Sequence, residues 1–530
     1  MLTMTLNIRC ISALLIAFGL LSCATNNMTA TANKPIVDTL IINGLVYNGE
    51  DKKPSKVNIG ICQQVICGIY PQNKKVAAKN IINVNGKIVS PGFIDPHTHS
   101  LAELKSQDKN HNLNYLTQGV TTVVNGNDGD SPVDIKAAVN MLQGNGFGTN
   151  VAFFVGHNSV RRQIMGTAAR YATPEELNGM KRLVEQAMQD GALGLSSGLY
   201  YVPGTYANTE EVISLAKVAS QYGGIYDTHL RDESTFNIGF NAALDEAINV
   251  AKKADIHLHL AHIKALGVDV WGQSQLAIDK ISQAHHNGIS ISADQYPWLA
   301  SGTKLHSAVM PKWVMADSVT AFHQRLNDVN LSQQLHREIK DNIRRRGGPA
   351  SLLITAFKDK SLVGLTLEQA AKLNNLSAVD TAIKLVQQGD VRVASYNMNS
   401  ADVERFMAQP WVVTSSDGTN GHPRKYASFP KKYQSYVKDK KILSLTDFIH
   451  RSSGKTAEIL GLTDRGFIKE GLSADIIIFD ANNLKAKADF SHWNRYSTGI
   501  EYVFVNGEMV IEQSVYLNKL AGKFIPKHLK

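Results

Sequence analysis

The chain is poor in cysteine, in aromatic residues and in long apolar runs. Four cysteines among 530 residues are too few to staple a fold of this size, so its stability has to come from a buried core. Two of them, Cys10 and Cys23, lie at the extreme N-terminus. Cys62 and Cys67 flank a turn at Gln63-Gln64, diagonally on one face, and are expected as two packed thiols rather than a bridge. The apolar stretch at 11–21 has eleven residues, against the ~20 that a membrane-spanning helix needs. Charge of one sign is scarce as well. A formal +9 is spread over the whole length, and the basic runs Arg344-Arg345-Arg346 and the lysines between Lys425 and Lys441 are diluted by Asp439. They form no nucleic-acid motif and read as solvated surface. No internal repeat or low-complexity tract is visible. With 43% hydrophobic residues, the chain is a globular protein of several units rather than a fibre or a disordered chain.

Arg9 followed by the apolar 11–21 stretch has the form of a signal peptide. Leu20-Leu21-Ser22-Cys23-Ala24 resembles a bacterial lipoprotein cleavage box, with an ordinary secretory signal as the other reading. The expectation is a leader at 1–22, a lipid anchor on Cys23, a polar tether to residue 34 and a periplasmic location.

Beyond the tether come short β-runs at 39–47, 56–62, 65–70 and 81–84, broken by Asn, Gly and Lys. The C-terminal part has the same character: an apolar run at 474–480, then a hairpin of 501–505 and 508–512 on Asn506-Gly507. Both ends of the chain are therefore expected to build one small β-sandwich from 35–90 and 441–530. The middle alternates apolar runs of four to eight residues with helical stretches, the pattern of βαβ units. The runs are 92–97, 120–126, 151–156, 192–196, 224–229, 256–262, 289–296 and 411–417. Eight is the number that an α/β (β/α)8 barrel, TIM-like, requires. It is expected at 91–440, with an insertion at about 299–400 because 114 residues separate Tyr296 from Trp411.

In such a barrel the C-terminal ends of the strands converge on one mouth. These ends carry His97 and His99, Asp128, His229, His262 and Asp417, a set of imidazoles and carboxylates suited to zinc or a related divalent ion. Period-two alternation puts His97 and His99 on one side. On the sixth run it aligns Leu258, Leu260, His262 and Lys264 inward and sends His257 and His259 outward, under a helix. Val413, Ser415 and Asp417 are likewise expected to face inward together.

Pro91-Gly92-Phe93-Ile94-Asp95-Pro96-His97-Thr98-His99 resembles the metal-binding signature of the amidohydrolase superfamily. Longer stretches resemble the D-aminoacylases, or N-acyl-D-amino-acid deacylases: 119–124, 191–199, Thr228-His229-Leu230-Arg231-Asp232-Glu233, Ser416-Asp417-Gly418 and His422-Pro423-Arg424. The likeness runs from about residue 38 to about 512.

It implies a zinc enzyme with one or two ions that deacylates N-acyl-D-amino acids or cleaves dipeptides ending in a D-residue. His97 and His99 match its first metal position, with Asp417 as ligand and proton carrier. His229 and His262 match the second. Arg424, Lys264 and Tyr296 match positions near the substrate's α-carboxylate, and Ser301 is a replacement for a serine often found there. Asp128 stands where many relatives carry a metal-binding Cys. A carboxylate is a harder ligand than a thiolate and loosens the preference for zinc, leaving another divalent metal open. The segment from Gly156 to Arg161 resembles a family stretch near the pocket, without an assigned role. Two other readings are a cyclic amidase of the dihydroorotase or hydantoinase type and a non-catalytic ligand-binding lipoprotein. The first usually has a bridging lysine on the fourth strand, and residues 192–197 contain none. The second would be expected to have lost its ligands, and they are present.

Overall fold

The computed structural model describes residues 36–527. The leader and tether expected at 1–34 lie outside the described residues. No helix among the described residues is long and apolar enough to cross a membrane.

Eight parallel strands form the centre: Phe93–Asp95 (β1), Val120–Asn125 (β2), Asn150–Phe153 continued by Val155–Gly156 (β3), Gly194–Gly198 (β4), Ile225–His229 (β5), His257–Leu260 (β6), Ile291–Gln295 (β7) and Val412–Thr414 (β8). Each pairs with the next in parallel. A parallel bridge between Thr98 and Gly418 closes β8 onto β1, making the α/β fold a (β/α)8 barrel. The strands are buried on both faces, which is why they read as near-continuous apolar runs. Outward-facing residues such as Val123, Phe153, Tyr226 and Leu258 pack with the surrounding helices. Ile94, Val124, Ala152, Phe154 and Ile225 fill the floor of the cylinder with Ala457, Leu460 and Ile525. The helices carry the expected local signals. Pro174–Gln189, for example, opens with Thr173 and Glu176 in a reciprocal capping box and with Pro174 in its first turn.

The sandwich is built from both chain ends. One sheet contains only N-terminal strands, in the order Val65–Pro71, Val57–Cys62, Val37–Ile42, Ala78–Asn83. In the other, Ile88–Pro91 pairs antiparallel with Ile476–Phe479, which continues into Ile500–Val505 and Glu508–Glu512. Ile41, Ile59, Ile61, Val89, Ile476, Ile478 and Phe504 share the core between the two sheets. The Asn506-Gly507 turn has positive φ at both residues, as a tight hairpin demands.

Two expectations need correction here. Cys62 and Cys67 are joined by a disulfide rather than left as thiols; the bulge between Gly60 and Ile61 shifts the hairpin register and leaves the two Cα atoms 5.6 Å apart. The helices Leu445–Ser452 and Gly454–Leu460, inside the segment assigned to the sandwich, pack on the barrel and seal its floor.

The insertion is a small α+β unit with its own core. Strands Ala300–Lys304, Arg392–Tyr396 and Leu352–Ala356 form an antiparallel sheet in that order. The helix Val329–Arg345 packs Leu335, Ile339 and Ile343 with Leu352, Ile354 and Leu385.

One buried cation makes the barrel's stability pH-dependent. Lys432 is fully buried, with Val413 O at 3.5 Å as its hydrogen-bond acceptor. Burial, then Arg451, push its ammonium down to about 7, against the pull of Asp294. An unfolded lysine keeps its proton to about pH 10.4. Between these values the unfolded state holds the extra proton, so stability rises with pH across that window. Lys432→Met is therefore expected to raise the melting temperature most below pH ~7, the gain shrinking towards pH ~10. A gain independent of pH in thermal melts would show that Lys432 does not titrate in this way.

Candidate metal centre

The expected ligands meet at one end of the barrel. His97 Nε2 lies 3.5 Å from Asp128 Oδ1 and 3.8 Å from Asp417 Oδ1. His99 Nε2 lies 3.5 Å from Asp128 Oδ2 and 3.3 Å from Asp417 Oδ1. One ligand atom from each of these four residues falls within 4.8 Å of every other, and the same holds for a second group, His229, Glu233 and His262. Asp128 joins the two groups, since its Oδ1 is also 3.2 Å from His262 Nε2. The rings of His97 and His229 flank His262 with centroids 4.8 and 4.7 Å from it.

Local backbone explains how the side chains arrive. Asp128, His262 and Asp417 have left-handed backbone, φ 56°, 35° and 46°, at the points where the chain leaves a strand. The Asp128 loop is wedged between the ends of β3 and β4. A Cβ at Gly156 would strike Gly129 O, and one at Gly198 would strike Asp128 O. Ser196 Oγ donates to Gly126 O and accepts from Gly129 N, and Ser159 N donates to Gly129 O at 3.0 Å. The stretch from Gly156 to Arg161 thus buttresses the loop that presents Asp128.

The sixth strand differs from expectation. Leu258 and Leu260 face the surrounding helices. His257 and His259 are on the inner side instead, His257 bonded to Ser290 and Ser292, and His259 to Ser292 and Asp294. Alternation stops at Leu260, and the left-handed turn at His262 swings that imidazole back to the mouth. Ser415 and Asp417 do share the inner side, Ser415 Oγ donating to Asp294 Oδ1.

Several functional neighbours went unmarked in the sequence. Glu233 accepts from Lys264 Nζ at 2.7 Å and lies 3.3 Å from His262 Nδ1. Its place four residues after His229 was the available signal. Asp294 lies behind the site, with Oδ2 3.7 Å from His97 Nδ1, and Asp227 is close by. Acids inside strands β5 and β7 are themselves a sign of function, because a buried carboxylate needs partners.

The electrostatics are those of a cation site. Burial alone would lower His97, His99 and His262, but Asp128 and its fellow carboxylates outweigh it and hold all three above the ordinary value, His262 at about 9. Burial opposes ionisation of Asp128 and Asp417 too. His97 and His262 still draw Asp128 far down, and Arg424 leads the groups that lower Asp417. His97 Nε2 and Asp128 Oδ1, 3.5 Å apart, are buried without a hydrogen-bond partner. Orphaned N and O donors aimed at one point fit a divalent ion.

Of the residues expected to hold substrate, Lys264 and Ser301 line the same cleft as His229, His262 and Asp417. Arg424 Nη1 is 2.7 Å from Asp417 Oδ2, and its guanidinium lies 4.6 Å from the Tyr296 ring centroid. Arg424 Nε and Tyr296 Oη are both buried without a partner. Lys264 Nζ also contacts His262 Nδ1 at 2.7 Å, and Ser301 Oγ lies 3.0 Å from the Asn397 amide.

Comparison with known proteins agrees with this geometry. A D-aminoacylase of Alcaligenes xylosoxydans xylosoxydans is 28% identical over 94% of this chain and 99% of its own. An N-acyl-D-aspartate deacylase of the same organism is 29% identical over 81% of this chain and 83% of its own. A solved D-aminoacylase structure, described as having a binuclear metal centre, superposes with TM-score 0.79 at 27% identity, covering 92% of this chain and 99% of that one. The profile of the amidohydrolase family matches residues 80–511, and the chain belongs to that family.

Proposed function

We propose that the protein is a metal-dependent amide hydrolase that removes the acyl group from N-acyl-D-amino acids, or cleaves dipeptides ending in a D-residue, with zinc as its ion. The observation that carries this is the convergence of His97, His99, Asp128, His229, His262 and Asp417 beside the free Arg424 and Tyr296 donors. The D-configuration and the acyl substrates are supported by the names of the relatives. His97, His99, Asp128 and Asp417 would hold one ion, and His229 and His262, with Asp128 shared, a second. Such an ion supplies an acidified water, with a pKa near ~7, and a Lewis acid for the amide carbonyl.

The chain's own residues do the rest. Asp417, kept ionised by Arg424, takes the attacking water's proton and passes it to the leaving amine nitrogen. Arg424 Nε and Tyr296 Oη donate to the α-carboxylate, which fixes the scissile amide over the site. Lys264, tied to Glu233, places a second cation nearby. A periplasmic, lipid-anchored location belongs to this proposal and rests on Ser22-Cys23 in the sequence.

Asp417→Asn is expected to lower kcat on N-acetyl-D-amino acids by roughly 10²–10⁴-fold while metal content by mass spectrometry stays close to wild type; undiminished turnover would remove the proton-carrier role. Asp128→Ala is expected to weaken metal binding about tenfold or more, because it takes away the one carboxylate shared by three imidazoles. Unchanged metal affinity in chelator competition would mean that Asp128 is no ligand. Cys23→Ser is expected to move the protein from the detergent phase to the aqueous phase in a Triton X-114 partition, and partition independent of Cys23 would exclude the anchor.

A further inference from the structure

The insertion supplies part of the cleft wall, from Ser301 to Thr303 and at Arg346. Arg346 follows the helix Val329–Arg345 and is 2% exposed. Its Nε donates to Ala308 O at 2.8 Å and its Nη2 to Tyr200 Oη at 3.2 Å. With the Asn397 amide turned so that its oxygen faces Ser301 Oγ, Arg346 Nη1 reaches that oxygen at 3.2 Å. All these partners are neutral. A second cation is adjacent: Lys312 Nζ sits 3.6 Å above the Tyr200 ring, with Ser307 O at 3.4 Å as its acceptor.

Among the described residues neither cation makes an ion pair, whereas the neighbouring Lys264, Arg345 and Arg424 each have one. Glu233 is held by Lys264, Asp417 by Arg424 and Arg345 by Asp341. The buried Asp232 carboxylate accepts from the backbone N–H groups of Ser234, Asn237 and Gly239 and acts on Lys312 only from a distance, without an ion pair to either cation. Burying a guanidinium without a counter-charge is unfavourable, and a protein tolerates it where a ligand supplies the missing anion. Arg346 lines the same cleft as His229 and Asp417. Tyr200, which receives its hydrogen bond, stacks on His229 with ring centroids 5.6 Å apart. The unmatched charge therefore faces the space that the substrate occupies.

We propose that Arg346, with Tyr200 and Thr303 beside it, forms an anion subsite for a second carboxylate of the substrate, distinct from the α-carboxylate at Arg424 and Tyr296. This rests on the deacylase reading and deepens it. The favoured substrates are dianionic N-acyl-D-amino acids, with the extra carboxylate on the amino acid side chain or on the acyl group. Lys312 reinforces the subsite with an ammonium 3.6 Å above the Tyr200 ring.

The test compares kcat/KM of the metal-loaded, full-length protein for N-acetyl-D-glutamate, N-succinyl-D-leucine and the monoanionic N-acetyl-D-leucine. One of the diacids is expected to exceed N-acetyl-D-leucine about tenfold or more, and which one does locates the carboxylate. Arg346→Met is expected to collapse that ratio, and Arg346→Lys to restore part of it, because lysine keeps the charge without the planar fork. A purely structural Arg346 would change all three substrates alike. A wild-type preference for N-acetyl-D-leucine, or a ratio untouched by Arg346→Met, overturns the proposal.

Calorimetric binding of D-glutamate against D-leucine, and of succinate against acetate, reads the same subsite without turnover, including with Lys312→Met if Arg346→Met does not fold. If none of the three amides is hydrolysed, the deacylase reading fails; the subsite fails separately if wild type binds the diacid of neither pair more tightly.

Discussion

Closure of the cylinder between its first and last strands is the contact on which the site depends. Asp417 N donates to His97 O at 2.9 Å, next to the Thr98–Gly418 bridge. That hydrogen bond joins residues more than 300 positions apart, and it places the Asp417 carboxylate against the His-x-His pair. The strands then have to release their last residues towards the axis. Asp128, His262 and Asp417 do so through left-handed backbone, a conformation that costs non-glycine residues on the order of 1 kcal/mol or more each. It persists because the surroundings over-determine it. Ser196 and Ser159 hold the Asp128 loop, and Asp294 Oδ1 accepts from His262 N at 3.1 Å.

The charge pattern follows from the same convergence. Burial disfavours every ionised group at the mouth, yet the acids and imidazoles sit so close that they ionise one another. Protons on His97, His99 and His262 offset Asp128 and Asp417. A divalent ion would take over that positive charge, which couples its binding to proton release. Beneath, Asp294 links His97, His259, Ser415 and the backbone of His262. It thereby lies behind two of the imidazoles, where an outer carboxylate would orient them in a histidine metal site.

Most of the barrel was legible because a parallel strand buried on both faces leaves an unbroken apolar run, and because strand ends mark one rim. Both rules are local. His97, Asp128 and Asp417 were therefore within reach, and so was the joining of the two chain ends, from short β-runs at both. What stayed hidden depends on departures from regularity. Alternation cannot foresee that β6 stops at Leu260, so it placed His259 outside when the residue lies inside, against Asp294. Nor can spacing show that the Gly60–Ile61 bulge brings Cys62 and Cys67 together. The insertion was visible only as a length, because its contribution to the cleft is the strand segment Ser301–Thr303 and one arginine after a helix, with no motif between them.

Asp128 is the carboxylate that both ligand groups share. Its two oxygens face three imidazoles, Oδ1 towards His97 and His262 and Oδ2 towards His99. A thiolate offers one soft atom at such a position. A carboxylate offers two hard ones, with enough span to serve both ligand groups at once. The centre is then all nitrogen and oxygen, a donor set that discriminates less sharply in favour of zinc over neighbouring divalent ions than one containing sulfur. Geometry has to supply the selectivity that softness does not. The loop that presents Asp128 is fixed by contact between Gly156 and Gly198, where no larger residue fits.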